Sequence, residues 1–184
     1  SKALKYLSSL DKAAKEGSYG QTDDLLTELK SFQRNAAVEF VPSESKVAME
    51  ISYNKMNVFK NSFQAYLLFG FILLVLFFIK IFAGPSQRVH KVFKRIAQVI
   101  TLLIVVVFLY HGYGIYMRWQ ISGHAPWSNG YEAVVFIAWI TMLTGLFFSR
   151  KNMTILAGTA ILASLMIFVT EMNLMDPEIT PLQP

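Results

Sequence analysis

Four long hydrophobic runs, free of ionisable side chains if His111 is counted as neutral, occupy the last two-thirds of the chain. They are residues 61–79, 96–117, 133–149 and 152–170. An α-helix needs roughly 20 apolar residues to cross the hydrocarbon core of a bilayer, and about 17 is the lower limit. The runs lack the polar face that a helix of a soluble bundle shows. The pattern therefore predicts an all-α, polytopic membrane protein with four transmembrane helices.

The first sixty residues are polar, with apolar residues at helical spacing. Residues 1–44 are predicted to form an exterior helical hairpin, in which Gly17 ends the first helix and Thr22 caps the second. Residues 45–61 are predicted to form an exterior amphipathic helix that is covered on both sides and continues unbroken into the first span. The transmembrane region, 62–184, then has spans of about 62–83, 96–119, 131–149 and 152–171, with an outer loop at 118–132.

Of the eight lysine and arginine residues that follow residue 60, six lie in two connectors, 83–95 and 149–152, which contain no acidic residue. Such connectors lie on the cytoplasmic side of a membrane, and a basic connector can also contact anionic lipid headgroups. The N-terminal region and the C-terminus are therefore predicted to lie outside. Because the N-terminus has no apolar core typical of a signal peptide, we expect a further transmembrane segment to precede residue 1 in a longer protein.

The composition supports a membrane protein and argues against nucleic-acid binding and cysteine chemistry. Hydrophobic residues make up 54% of the 184 residues, and the mean hydropathy is +0.41. The net charge of +5 is explained by the basic connectors, and no basic stripe of the kind that binds nucleic acid is visible. The sequence has no cysteine, which excludes disulfides, thiolate catalysis and cysteine ligands within it.

The stretch "MRWQISGHAPWSNGYEAVVF", residues 117–136, places polar and aromatic side chains between two hydrophobic runs. Arg118 offers a cation for carboxylates, Trp119 and Trp127 offer flat surfaces, and His124 offers an imidazole that could bind iron. This set suits a planar, anionic, amphipathic ligand, and by its chemistry alone it leaves haem and quinone both open. Ser128 or Asn129 is predicted to cap the third span, with Glu132 in its first turn.

Inside the second span, His111 shares a helix face with Arg118, seven residues further on. An ionisable residue within a membrane is a functional candidate. As a neutral imidazole His111 could bind haem iron, or it could instead form a hydrogen bond to a neighbouring helix. Small residues are expected to let the helices approach closely; they are Gly112, Gly114, Ala157, Gly158, Ala160, Ala163 and Ser164.

The segment "RWQISGHAPWSNGYEAVVFIAW", followed after one hydrophobic span by "MNLMDPEITPLQP", resembles the haem-handling membrane subunit of the system II cytochrome c synthases, in its fused form. The upstream "EISYNKMNVFKNSFQAYLLFG" resembles the exterior helix and first span of that half. The resemblance covers residues 45–184, and "PWSNGYE" before a hydrophobic helix is its most specific part.

The resemblance implies a protein of the bacterial inner membrane that moves haem outward and attaches it to the CxxCH motif of an apocytochrome c. The implied substrate is haem b, and the implied partners are haem, apocytochrome c, the remaining portion of the synthase and the lipid bilayer. The candidate haem-binding residues are Arg118, Trp119, His124, Trp127, Asn129, Tyr131, Glu132 and His111, with His124 or His111 as the possible iron ligand. Of these, Trp127, Asn129, Tyr131 and Glu132 are expected to order the outer mouth of the site. Arg118 and His124 are expected to contact haem or the partner subunit.

The sequence departs from the family pattern in one respect. The family's tryptophan-rich segment, W-G-x-x-W-x-W-D with flanking histidines, is expected downstream of "DPEITPLQP" and does not occur in these 184 residues. We therefore expect that this chain does not complete the haem lyase reaction alone. Two other functions remain open: a structural or assembly subunit of a respiratory or transport membrane complex, and a quinone-binding membrane module.

Overall fold

The computed structural model describes residues 2–36, 42–82, 87–149 and 152–172. The described residues form seven α-helices and no strand. The helices are α1 (Lys2–Glu16), α2 (Gly20–Ala36), α3 (Glu44–Met56), α4 (Val58–Phe82), α5 (Gln87–Ser122), α6 (Gly130–Ser149) and α7 (Met153–Glu171). Part of each basic connector, including Arg150 and Lys151, and the tail from 173 onward lie outside the described residues.

Within the part of the chain that the structure describes, four helical stretches are long and apolar enough to cross a membrane. They are Glu44–Phe82, which joins α3 to α4, and then His90–Ser122, Gly130–Ser149 and Met153–Glu171. Large apolar side chains such as Phe71, Leu102 and Phe147 are exposed along them, as expected of helices that face lipid. The prediction of an all-α membrane protein with four membrane-spanning helices is confirmed at this level.

Residues Ser1–Ser45 form a separate compact unit that contains α1 and α2. Gly17 has a positive φ of 71°, and its amide donates to the Ala13 carbonyl, as predicted for a helix C-cap. The prediction that Thr22 caps α2 is wrong, because α2 begins at Gly20. Thr22 is instead buried, and its hydroxyl donates to the Ser9 carbonyl of α1 at 3.3 Å. The threonine thus joins the two helices rather than starting one.

The predicted continuous helix from residue 45 into the first span is broken at Asn57. This residue has a φ of 45°, in the left-handed region that asparagine tolerates better than most residues. The Met56 carbonyl that the break releases accepts hydrogen bonds from the Asn61 amide side chain at 2.8 Å and the Tyr110 hydroxyl at 2.9 Å. The prediction that α3 is covered on both sides is also wrong, because α3 has no buried residue.

Residues Lys46–Pro184 form the second unit, in which α7 packs against α4 and α6, and α4 packs against α5. The prediction of close helix approach holds for most of the small residues. Ala157, Ala160, Ala163 and Ser164 on α7 are fully buried. A Cβ placed at Gly114 would lie 2.6 Å from Val58 Cγ1, and one at Gly112 would lie 2.9 Å from Trp139 Nε1. Gly158 is the exception, because it faces open space.

Candidate functional site

A buried ion pair joins the end of α5 to the start of α6. Arg118 Nε donates to Glu132 Oε1 at 2.9 Å, and the two side chains are only 3% and 1% exposed. A buried charge is costly unless it is paired and hydrogen-bonded. Glu132 also lies in the first turn of α6, where the positive end of the helix dipole favours a carboxylate. The pair therefore fixes how the chain leaves one helix and enters the next.

The second oxygen of Glu132 holds the loop itself. Oε2 accepts the Ser128 amide at 3.1 Å, while the Asn129 side chain accepts the Glu132 amide at 2.8 Å. The two residues thus satisfy free amides on both sides of the α6 N-terminus in a reciprocal arrangement similar to a capping box. Asn129 is the cap, as one of the two predicted alternatives, and Glu132 is in the first turn as predicted.

The loop between α5 and α6, residues 123–129, follows a tightly bonded path. Gly123 has a φ of 76°, and its amide donates to the Trp119 carbonyl at 2.9 Å, which ends α5. Around Pro126 the Trp127 amide donates to the Ala125 carbonyl at 2.8 Å, and the Ser128 hydroxyl donates to the same oxygen at 2.7 Å. The loop therefore has defined turns of its own besides the Glu132 contacts.

His124 lies beside the ion pair rather than in open solvent. Its Nδ1 is 3.7 Å from Glu132 Oε2 and 3.2 Å from the Ala125 carbonyl oxygen, and its side chain is 12% exposed. A protonated imidazole would add a second positive partner to Glu132, whereas a neutral ring could donate Nδ1–H to the Ala125 carbonyl. In the second arrangement Nε2 would keep its lone pair, which is the form that binds iron.

Aromatic side chains enclose the guanidinium group of Arg118. Its Cζ lies 4.7 Å from the centre of the Tyr131 ring, and Nη1 donates to the Tyr53 hydroxyl at 3.5 Å. Phe59 makes edge contacts with both tyrosines, at 6.1 Å from Tyr131 and 6.2 Å from Tyr53. A cation over an aromatic face is attracted by the ring quadrupole. Tyr53 and Phe59 belong to this arrangement, although no feature of the sequence pattern indicated it.

A cavity of about 600 Å³ opens beside this cluster. Its walls come from α3, the start of α4, Arg118, Tyr131 and the end of α7. Arg118 and Lys60 supply positive charge, and Glu50 and Glu171 supply negative charge, so the charged lining is balanced. Such a lining suits a polar chain segment or a ligand with charges of both signs better than a strongly anionic one.

Trp127 begins a chain of aromatic contacts that runs down α6. Its side chain is 57% exposed, and its ring lies 5.2 Å from Phe136. Phe136 contacts Trp139 at 6.2 Å, and Trp139 stacks on Phe108 of α5 at 4.9 Å with the planes 7° apart. Trp139 Nε1 also donates to the Phe108 carbonyl at 3.2 Å. The exposed indole of Trp127 thus contacts Phe136, which in turn belongs to a chain of packed aromatic rings on α5 and α6.

His111 lies on the same buried face of α5 as Arg118, but deeper in the helix bundle. The ring is fully buried against Phe59 and Tyr66, and Nδ1 is 3.5 Å from the Tyr66 hydroxyl. The Val135 backbone lies close to the ring, but Nε2 has no hydrogen-bond partner of ordinary geometry among the described residues. Seven residues of helix separate His111 from Arg118 by about 10 Å along the axis. His111 therefore lies outside the loop cluster.

The remaining predicted site residues divide between the cluster and the surface. Tyr131 and Asn129 join the cluster, whereas Trp119 is half exposed on another face of α5. Across the residues that the structure describes, no three His, Asp, Glu or Cys side chains group in a way that could hold a metal ion. The roles in haem binding, including iron ligation by His124 or His111, remain predictions.

Comparison with known proteins supports the resemblance seen in the sequence. No family model matches the chain. Protein NrfI of Wolinella succinogenes is 33% identical over 174 residues, which is 94% of this chain and 18% of NrfI. Cytochrome c biogenesis protein CcsA of a Synechococcus strain is 36% identical over 81 residues, or 44% of this chain and 25% of that protein. CcsA of Prochlorococcus marinus is 28% identical over 85 residues, or 46% of this chain and 27% of that protein.

The chain spans less than a third of the length of the curated relatives that it matches. Within that limit, the matches agree with the sequence motifs and with the four membrane-length helices. They confirm the resemblance that was predicted from the motifs.

Proposed function

The chain is a relative of cytochrome c biogenesis proteins, and from this relationship we propose that it is part of a membrane cytochrome c synthase. The synthase would handle haem and attach it covalently to the CxxCH motifs of apocytochrome c on the outer side of the membrane. Its partners would be haem b as substrate, the apocytochrome, the bilayer and the rest of the synthase. It would lie in the bacterial inner membrane, as the resemblance implies, and the basic connectors favour the orientation with the α5–α6 loop outside.

The observation that carries the proposal is the buried Arg118–Glu132 pair under an exposed tryptophan. The loop is held by a buried ion pair and two capping bonds, and Trp127 on it packs against Phe136 with the ring planes tilted. A rigid, exposed indole is suited to contact with a flat apolar macrocycle or with a partner chain. The α5–α6 loop would accordingly act as a preformed lip for the haem site.

The reaction proposed for the whole synthase depends mainly on how the protein positions the two reactants. In thioether formation, a cysteine thiol adds across a haem vinyl group, so the sulfur gains a bond to carbon and the proton moves to the neighbouring vinyl carbon. Holding the two reactants in register lowers the entropic part of the barrier. Haem supplies the reactive vinyl groups, and the protein supplies binding and orientation. This chain would contribute scaffold and outer-loop elements to that alignment.

The geometry supports a proposed role for each of the loop residues. Arg118, Glu132, Asn129 and Tyr131 would order the loop, because their side chains are engaged with one another or with the helix end. Trp127 would contact haem or a partner directly, because its ring is exposed. His124 would contact the haem iron or the partner from its place beside Glu132.

The proposal is tested by purifying the full-length protein from its own membranes and recording the absorption spectrum, and by deleting its gene. We expect a Soret band on the purified protein and loss of holocytochrome c in the deletion strain. A pigment-free protein bound to other subunits, with normal cytochrome c, would favour the structural alternative. Extractable quinone without a Soret band would favour the quinone-binding alternative.

A further inference from the structure

A second cavity, of about 810 Å³, lies at the end of the helix bundle opposite the α5–α6 loop. It is enclosed by the C-terminal part of α4, the N-terminal part of α5 and the α6–α7 junction. Its apolar wall is formed by Leu73, Leu76, Phe77, Phe93, Ala97 and Met153. One turn away, near Gly70, α4 and α7 are in close contact, since a Cβ at Gly70 would lie 3.0 Å from Ala160 Cβ. The cavity therefore opens where these two helices begin to separate.

The polar part of the cavity lining is one-sided in charge. Lys80 and Lys94 line it together with His90, and among the described residues no carboxylate belongs to the lining. Neither lysine forms an ion pair with another described residue. Gln98, Asn152 and Thr154 add uncharged hydrogen-bonding groups, whereas the Thr101 and Ser149 hydroxyls donate to carbonyls of their own helices. A ligand of this cavity would therefore meet two positive charges and a few neutral polar groups.

The arrangement of charge along the cavity indicates an amphiphile that lies parallel to the helices. From Lys80 back to Leu73 on α4, and from Lys94 to Thr101 on α5, seven residues of helix span about 10 Å. Lys80 and Lys94 lie nearer the ends of the helices, where headgroups lie, whereas Leu73, Leu76 and Ala97 lie deeper. An anionic headgroup at the lysines and a hydrocarbon chain along the apolar wall would satisfy both parts at once.

We propose that the cavity between α4, α5 and α7 is a binding site for an anionic phospholipid, with its phosphate at Lys80 and Lys94. The proposal is independent of the function assigned above, because it involves residues at the opposite end of the bundle. If surface charge alone attracted the lipid, its headgroup would bind equally well at any basic residue on this side of the bundle. The cavity differs in that an apolar space adjoins the two lysines, so headgroup and chain are bound by one site.

The test is native mass spectrometry of the full-length protein, titrated in detergent with phosphatidylglycerol and, in parallel, with phosphatidylcholine. The variant Lys80→Gln/Lys94→Gln removes the two lining charges. The control variant Lys91→Gln/Arg95→Gln removes two charges from exposed residues of α5 that do not line the cavity. Thermal unfolding without added lipid shows whether each variant keeps the wild-type fold. Inorganic phosphate and haemin are tested as competitors.

We expect retained phosphatidylglycerol on the wild type and on the control variant, and about tenfold weaker retention on the Lys80/Lys94 variant. Equal retention of phosphatidylcholine would overturn the proposal, because the headgroup charge would then be irrelevant. Equal loss of phosphatidylglycerol from the control variant would show that general surface charge, and not the cavity, retains the lipid. Displacement of the lipid by haemin or phosphate at lower concentration would assign the site to that anion instead.

Discussion

Arg118 at the end of α5 and Glu132 at the start of α6 are bonded at 2.9 Å and are almost wholly buried. Fourteen residues apart in sequence, they enclose the α5–α6 loop, and the same carboxylate holds the Ser128 amide. The polar side chains of this stretch therefore stabilise the loop from within. The aromatic side chain of Trp127 is exposed on the loop surface.

Glu132→Gln is predicted to destabilise the protein by about 3–5 kcal/mol, because it leaves the guanidinium buried without a countercharge. Replacing both residues by methionine removes both charges and should cost less than the single change. Thermal unfolding in detergent compares the variants, with Glu171→Gln as the exposed control. Wild-type stability of Glu132→Gln would show that the pair is not needed to hold the loop.

Gly114→Ala is predicted to cost about 1–3 kcal/mol, because the new methyl group would overlap the buried, β-branched Val58 at the start of α4. Gly158→Ala is the matched control, since it lies in a membrane-length helix with nothing within 4 Å of the added atom. There alanine should be neutral or stabilising by up to about 1 kcal/mol, because it favours helix more than glycine does. Equal unfolding temperatures of the two variants would contradict this packing.

The break at Asn57 predicts that a glycine variant at this position will be more stable than an alanine variant. Glycine should be tolerated, because it adopts a positive φ readily, whereas alanine should cost about 1–2 kcal/mol. Within a continuous helix the order would be reversed, since alanine is the better helix former. Unfolding curves of Asn57→Gly and Asn57→Ala therefore distinguish a broken helix from a continuous one. A more stable alanine variant would show that α3 and α4 form one helix.

The fold class and the cap at Asn129 could be predicted because both are local properties of the sequence. Runs of 17 or more apolar residues indicate spans whatever their neighbours, and Ser128 and Asn129, the two predicted caps, stand shortly before the run 133–149. The Arg118–Glu132 pairing could not be predicted, because it depends on which way the end of α5 faces α6. The break at Asn57 has no clear sequence signal, since asparagine also occurs within helices.

Packing between helices was only partly predictable for the same reason. Small residues mark possible contacts, but the side of α7 that meets its neighbours is a tertiary property. Ala160 is therefore buried while Gly158, two residues earlier, is open. The contacts of Tyr53 and Phe59 with the site also come from elements distant in sequence. Such contacts leave no trace in composition or spacing.

The geometry also changes which variants report on function. Alanine at Arg118 would leave Glu132 buried without its partner, so lost activity could reflect lost structure. His124 and Trp127 are better probes. Trp127 is exposed, and His124 lies at the edge of the ion pair. Tyr116→Ala is the matched control, because this aromatic residue of α5 is also half exposed and is not among the predicted haem-binding residues.

The most direct measurement is the yield of holocytochrome c, by haem staining, in cells whose full-length protein carries His124→Ala with Trp127→Ala. Immunoblotting of the same membranes normalises the yield to the amount of protein. We predict roughly a tenfold or greater loss at wild-type protein level, since misplacing bound reactants is costly, with Tyr116→Ala near wild type. Wild-type yield from the double variant would contradict the assignment of the α5–α6 loop to the haem site.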